Sequence, residues 1–318
     1  MVKKKKESFN EVINMNNNGH FQDPIIIKLK KTLKSSIKNR SKYWQRQLND
    51  EDKFNKMNEN EIYNINSTGG WGNFTKKHFL KSYLHNLGLY YIFGNKLFNS
   101  HIYKMYKNIY DKFNRQIDYH VAKHILMLTL VERYIKNSKK MCVIGDGKLN
   151  FLLGANLLNP NSQLFYINLP EVLINDYLVM KEMKFLNGEN IEVVEDLDAI
   201  NYSNKTKLYL IPASQALFCN NLEIDFFFNS HSMQEMTYTE IEKYFNIIRS
   251  NNAFFYCNNR EFKPGQVGDE DYFFEKMPWN NNKFLFKEKC PINKKYYNFK
   301  YPFIRKFDQF IHCLAKFN

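Results

Sequence analysis

Two groups of residues in this chain have the types and spacing to do chemistry. The first is Val143-Ile-Gly-Asp-Gly147. Gly145 and Gly147 flank Asp146 where an apolar segment has to turn sharply into a helix with Leu149, Leu152, Leu153 and Leu157 on one face. Glycine permits positive φ and lets a ligand approach the backbone closely. A dinucleotide fingerprint needs a further glycine at position 150, where this chain has Asn150, so a pyrophosphate is not the expected ligand. The same spacing also fits a strand, turn and helix that bind nothing. The second group lies at the ends of two later strands. His231 follows the apolar run Asp225–Asn229, and Glu235 comes four residues after it. A histidine so placed can take a proton from a hydroxyl, and Glu235 can orient it or bind a hydroxyl itself. A solvated or structural histidine fits the same pattern. Asn258, Asn259 and Arg260 close the next strand. Side-chain amides and a guanidinium suit a polyhydroxylated acceptor, and Arg260 suits a phosphate or carboxylate. A polar loop after a buried strand has the same composition.

These groups need a frame that brings them to one edge. From Lys140 onward, strands are expected at 141–144, 164–168, 191–194, 208–211, 225–229 and 254–257, with helices near 151–158, 171–186 and 238–250. Thr237-Tyr-Thr-Glu240 reads as a capping box for the last helix. Residues 278–289 read as a loop and a terminal strand, part of an antiparallel hairpin that closes the sheet. This alternation predicts a doubly wound, mostly parallel α/β sheet of the Rossmann-like kind. Its ligands bind at the carboxyl ends of the strands, where the glycine turn, His231 and Arg260 all fall. A turn of two glycines followed by a bulky helix suits S-adenosylmethionine, in which no phosphate needs cradling.

Before Lys140 the chain reads as helical. Residues 1–22 form a polar, asparagine-rich tail expected to be poorly ordered. Residues 23–138 are expected to form a helical substrate or lid domain ahead of the α/β domain at 139–318. In that helical part, Ile27, Leu29, Leu33, Ile37, Tyr43 and Trp44 could share one face. Gly69-Gly-Trp-Gly72 reads as a loop, and the aromatic-rich stretch from Phe74 to Asn137 as helices broken near Gly94.

The composition narrows the classes. With 318 residues and 44% hydrophobic content, the chain can bury a full core. No apolar run approaches the roughly eighteen residues that span a bilayer. Lys3–Lys6 are followed by a polar stretch, so no signal peptide is expected. Five dispersed cysteines form no zinc pattern and read as reduced thiols in the cytoplasm. No His, Asp and Glu cluster has metal-ligand spacing, so no metal is expected. The net charge of +14 raises the question of nucleic acid. Basic residues are spread along the chain with one concentration from Lys28 to Arg46, and no nucleic-acid module is visible. Attraction to an anionic sugar, a nucleotide-sugar or a membrane surface explains the charge as well, and nucleic acid is the less favoured partner. Oligomeric state is left open, a homo-oligomer included.

Four blocks carry a resemblance. They are Val143-Ile-Gly-Asp-Gly147, Asn168-Leu-Pro-Glu-Val-Leu173, Asp225-Phe-Phe-Phe-Asn-Ser-His-Ser-Met-Gln-Glu-Met236 and Phe255-Tyr-Cys-Asn-Asn-Arg260. Over about Lys140–Lys287 the chain resembles the sugar O-methyltransferase family, whose class I S-adenosylmethionine-dependent domain follows a helical N-terminal part. The resemblance implies transfer of a methyl group to a hydroxyl of a sugar or glycan precursor. It implies a cofactor site at Gly145, Asp146, Gly147, Asn168, Leu169, Pro212 and Ser214, with His231 and Glu235 catalytic and Asn259 and Arg260 on the acceptor. Class I enzymes usually end the second strand in an acid that binds both ribose hydroxyls, and this chain has Asn168 there. An amide lacks the charge-assisted strength of a carboxylate. Other acceptors, such as an RNA ribose, and a non-catalytic cofactor-binding role are the alternatives. If Ile191–Val194 is the third strand, Asp196 competes with Pro212 for the adenine.

Overall fold

Hydrophobic strands alternating with amphipathic helices build the sheet expected from the sequence. The computed structural model describes residues 23–33, 70, 79–186, 189–197, 202–265, 270–293, 295–298, 301–306 and 309–318. The expectations for the 1–22 tail, for Ile37, Tyr43 and Trp44, for the 69–72 loop apart from Gly70, and for the start of the helical stretch at Phe74 fall outside these residues. Helices α1 (Pro24–Lys31), α2 (Phe79–Phe93), α3 (Asn95–Phe98), α4 (His101–Lys112) and α5 (Tyr119–Asn137) precede the first strand. The break falls at Gly94, as expected.

The main sheet follows. It contains β1 (Lys140–Ile144), β2 (Gln163–Asn168), β3 (Ile191–Val193), β4 (Leu208–Pro212), β5 (Phe226–Ser230), β6 (Phe254–Arg260), β9 (Asn282–Lys289) and β12 (Phe310–Phe317). Helices α6 (Leu152–Leu158), α7 (Pro170–Met183) and α8 (Tyr238–Ser250) lie between its strands in the chain. Two short pairs stand apart: β7 (Phe262–Lys263) with β8 (Tyr272–Phe273), and β10 (Lys295–Asn298) with β11 (Tyr301–Lys306). The eight strands run in the order β3-β4-β2-β1-β5-β6-β12-β9. From β3 to β6 every pairing is parallel, and β12 is antiparallel to both neighbours. The chain winds outward from β1 to β2, then crosses back to β5. The strand order therefore reverses between β1 and β5, where open α/β sheets bind ligands.

Both faces of the sheet are buried. Met141 and Val143 face one core, and Cys142 and Ile144 the other, as a period of two requires. The first core is continuous with the helical part, because Ile102, Tyr106, Ile125 and Leu128 join Met141, Val143, Leu164 and Phe228. Gly154 permits this contact. A Cβ on it would lie 2.2 Å from Leu128 Cδ1 and 2.5 Å from the Tyr106 hydroxyl. The helix–sheet boundary at 139 thus marks a change of element type within one packed core.

Two features depart from the sequence reading. The strand at 282–289 is not terminal: Phe310–Phe317 wedges between it and β6. In the capping box, Thr237 Oγ1 accepts from Glu240 N at 3.3 Å, but the Glu240 carboxylate pairs with Lys243 at 2.7 Å. All five cysteines are buried and unbridged. Among the described residues, no helix is long and apolar enough to cross a membrane.

Candidate functional site

At the carboxyl end of β1 the chain turns at Gly145, with φ of 69°. A Cβ there would lie 2.3 Å from Ser232 Oγ. The glycine is thus required by the loop after β5 pressing onto the turn. Asn229 Nδ2 and Ser232 Oγ both donate to the Ile144 carbonyl, at 3.0 and 3.2 Å, and tie β5 to β1. Beyond the half-buried Gly147, Lys148 and Leu149 also take left-handed backbone angles, near 59° and 58°.

Asp146 has two functions in one side chain. Oδ2 accepts from Phe151 N at 2.7 Å and Leu152 N at 2.8 Å, and so caps α6. Oδ1 is buried without a hydrogen bond and faces His124 Nε2 at 4.0 Å. Burial pushes its pKa up to about 8 against the two backbone donors, with Asp176 adding to the rise. Asp176, also buried, accepts from Lys148 N at 2.9 Å and holds the Tyr166 hydroxyl at 2.5 Å.

Asn168 ends β2 half-buried. Its Oδ1 accepts from Leu169 N at 2.9 Å, and its Nδ2 donates to the Tyr166 hydroxyl at 3.0 Å. One amide hydrogen and one lone pair remain, enough for a ribose diol though without a carboxylate's charge. Pro212 is the register partner of Asn168, and half-buried Ser214 follows it. Because β4 lies between β2 and β3, Asp196 sits beyond the outer strand, and Pro212 has the place beside Asn168. Asn168 and the buried Asp146 oxygen that has no hydrogen bond thus lie at the carboxyl ends of adjacent strands, β2 and β1.

His231 leaves β5 with φ of 69°, and its N donates to the Asn258 carbonyl at 2.8 Å. Its Nδ1 lies 2.6 Å from Ser230 Oγ and its Nε2 lies 3.2 Å from Lys123 Nζ. With an ammonium donating to Nε2, the proton sits on Nδ1 and points to Ser230. Enclosure holds the pKa of His231 well below the ordinary histidine value, and the positive fields of Lys123, His124, His120 and Arg260 lower it further. The ring rests on Phe310, with centroids 4.7 Å apart. The Arg260 guanidinium lies over the same ring at 5.9 Å.

Two of the expected site residues have protein partners of their own. Glu235 lies 3.8 Å from Lys263, while the His231 ring nitrogens meet Ser230 and Lys123. Asn259 is fully buried, accepting from Gln234 N at 3.2 Å and donating to Asn229 at 2.8 Å. It braces β5 against β6. Asn258 is likewise internal, accepting from Asn293 at 3.1 Å.

The residue that sequence reasoning missed is Lys123 on α5. It is 1% exposed, and burial lowers its pKa to about 8. His120 and His124 share its helix face. The signal was present in the sequence, because three polar residues at 120, 123 and 124 interrupt an apolar helix at helical spacing. Among the described residues, no group of three His, Cys, Asp or Glu is arranged to hold a metal ion.

No family model matches the chain, and no curated protein matches it. Several solved structures match parts of the chain at low identity. One is a protein of echinomycin biosynthesis concerned with converting a disulfide bond into a thioacetal group. It is 6% identical with a TM-score of 0.41, and the match covers 60% of this chain and 82% of that one. Another is magnesium protoporphyrin IX methyltransferase from Synechocystis with bound SAH, 9% identical with a TM-score of 0.40, covering 75% and 99%. A third is mitomycin 7-O-methyltransferase, 7% identical with a TM-score of 0.34, covering 62% and 57%.

Proposed function

We propose that this chain is an S-adenosylmethionine-dependent O-methyltransferase that acts on a hydroxyl of a sugar or glycan precursor. The observation that carries the reading is the position of His231, a neutral imidazole at the point where the strand order reverses, pressed against the glycine turn through Ser232. The four sequence blocks that resemble the sugar O-methyltransferases all fall on this edge or lead into it, which supports the same reading.

The cofactor would supply an activated methyl group on a sulfonium. Asn168 would hold the ribose, Pro212 and Ser214 would wall the adenine, and Asp146 would meet the ammonium through its free oxygen, the ammonium charge favouring the ionised carboxyl. His231 Nε2 would take the hydroxyl proton as the oxygen–carbon bond forms and the sulfur–carbon bond breaks, its electron pair passing to sulfur. Arg260 would bind the acceptor. Positioning donor and acceptor in line contributes most of the rate, on the order of 7–11 kcal/mol when fully realised.

Calorimetry with S-adenosylmethionine, followed by methyl transfer to a panel of nucleotide-sugars and oligosaccharides, tests the proposal. Binding at micromolar concentration and transfer to one sugar class are expected. Absence of cofactor binding would end the reading. Binding without transfer to any acceptor would favour a non-catalytic role, which the engaged amide of Asn168 also suits.

A further inference from the structure

We propose that the acceptor carries an anionic group, a phosphate or a carboxylate, which Lys123 and Arg260 bind beside His231. The inference rests on the reading of His231 as the base that meets the acceptor hydroxyl.

A buried ammonium is costly unless a negative charge accompanies it. Lys123 is almost fully buried, yet its close polar contact is an imidazole. The acid nearest to it in the chain is Asp118, the N-cap of α5, whose Oδ1 accepts from Val121 N at 2.9 Å and whose buried Oδ2 has no hydrogen bond. Cys290 and Asp118 favour the charged lysine, but burial outweighs them. Around His231 the fold gathers Lys123, His120 and His124 from α5 and Arg260 from the end of β6. The facing acid from the glycine turn, Asp146, is itself pushed toward the neutral form. The charged groups on either side of the neutral His231 are therefore two cations from two elements, Lys123 from α5 and Arg260 from β6. A neutral sugar hydroxyl cannot balance them, whereas a phosphate or carboxylate can accept from an ammonium and a guanidinium together. Phe310 fixes the geometry by carrying both the imidazole and the guanidinium.

The arrangement also ties binding to reactivity. In the resting site the Nε2 lone pair is occupied by Lys123. An anion that draws the ammonium away frees that lone pair for the acceptor hydroxyl. It also offsets the positive field that suppresses the basicity of His231.

The test is an NMR titration of the histidine imidazoles in the full chain, with saturating S-adenosylhomocysteine present so that the methionine carboxylate is already accounted for. The probes are inorganic phosphate, glucuronic acid and neutral glucose. Phosphate or glucuronic acid should shift the His231 resonances and raise its pKa, and the more effective of the two identifies the source of the charge. Glucose should do neither. Lys123→Met should remove the response, and Lys123→Arg should keep part of it. Arg260→Met is a second variant should Lys123→Met fail to fold. For an anionic acceptor, Lys123→Met should raise KM about tenfold or more. An equal response to glucose, an unaltered response in Lys123→Met and Arg260→Met, or a response to S-adenosylhomocysteine with none to the anions would overturn the inference. If S-adenosylhomocysteine does not bind but the anions still act, the methyltransferase reading falls and the anion site stands.

Discussion

A histidine serves as a base only while it is neutral with a lone pair free. Placed among Lys123, His120, His124 and Arg260, His231 is neutral well below the ordinary histidine range. A base must be deprotonated to act, so kcat/KM should rise with pH and level off below pH 6.5, which a pH–rate profile would show. His231→Ala should lower turnover by roughly 10²-fold with cofactor affinity almost unchanged. A near wild-type rate in that variant would exclude His231 as the base. Asp146 allows a stability measurement. Its folded pKa of about 8 lies above the unfolded value of about 3.9, so the folded chain binds the extra proton. Stability from this group is greatest at low pH and is lost as pH rises from about 4 to about 8. Asp146→Asn keeps an oxygen that can accept from Phe151 N and Leu152 N, and it removes the titration. The variant should therefore gain at least about 1 kcal/mol on wild type at pH 8 relative to pH 5, read by denaturant unfolding at both pH values.

Strands β1 and β5 meet through side chains as well as backbone. Gly145 was expected to be small for the sake of a ligand. In the fold the space of its missing Cβ is taken by Ser232 Oγ at 2.3 Å. Gly145→Ala should therefore destabilise the chain without any cofactor, by about 1–3 kcal/mol from overpacking and the left-handed backbone. Gly145→Ala with Ser232→Gly should recover part of that loss in a double-mutant cycle. Full additivity in the cycle would mean that the two positions do not touch. Gly70, from the helical part, is in a similar position: a Cβ on it would lie 2.1 Å from Asn150 Oδ1, against the same turn.

Across the described molecule, the N-terminal helices share one core with one face of the sheet, with Ile125 and Leu128 of α5 packed among Val143, Leu164 and Phe228. A chain beginning at Lys139 would expose that apolar face and should lose cooperative thermal unfolding, as monitored by circular dichroism. A sharp transition in the shortened chain would show that the α/β part folds alone. The same core explains what could be read locally. Apolar runs such as Met141–Ile144 and Phe226–Phe228, the glycine turn and the Thr237 cap are set by neighbours in the chain, so strands, helices and their order were legible in the sequence. The strand at Phe310–Phe317 was missed because its place between β6 and β9 depends on pairing with distant strands. Asn259 and Glu235 were read from their positions at a strand end and in a loop. Their partners, Asn229 and Lys263, come from elsewhere in the chain and turn one into a buried brace and the other into half of an ion pair. Lys123 and His231 are 108 residues apart and meet at 3.2 Å only because α5 packs across the switch point of the sheet. The residue types and local periodicity determined the fold and the edge where chemistry can occur. Which polar atoms face one another there, and hence which histidine is neutral and which lysine is buried, was decided by long-range packing alone.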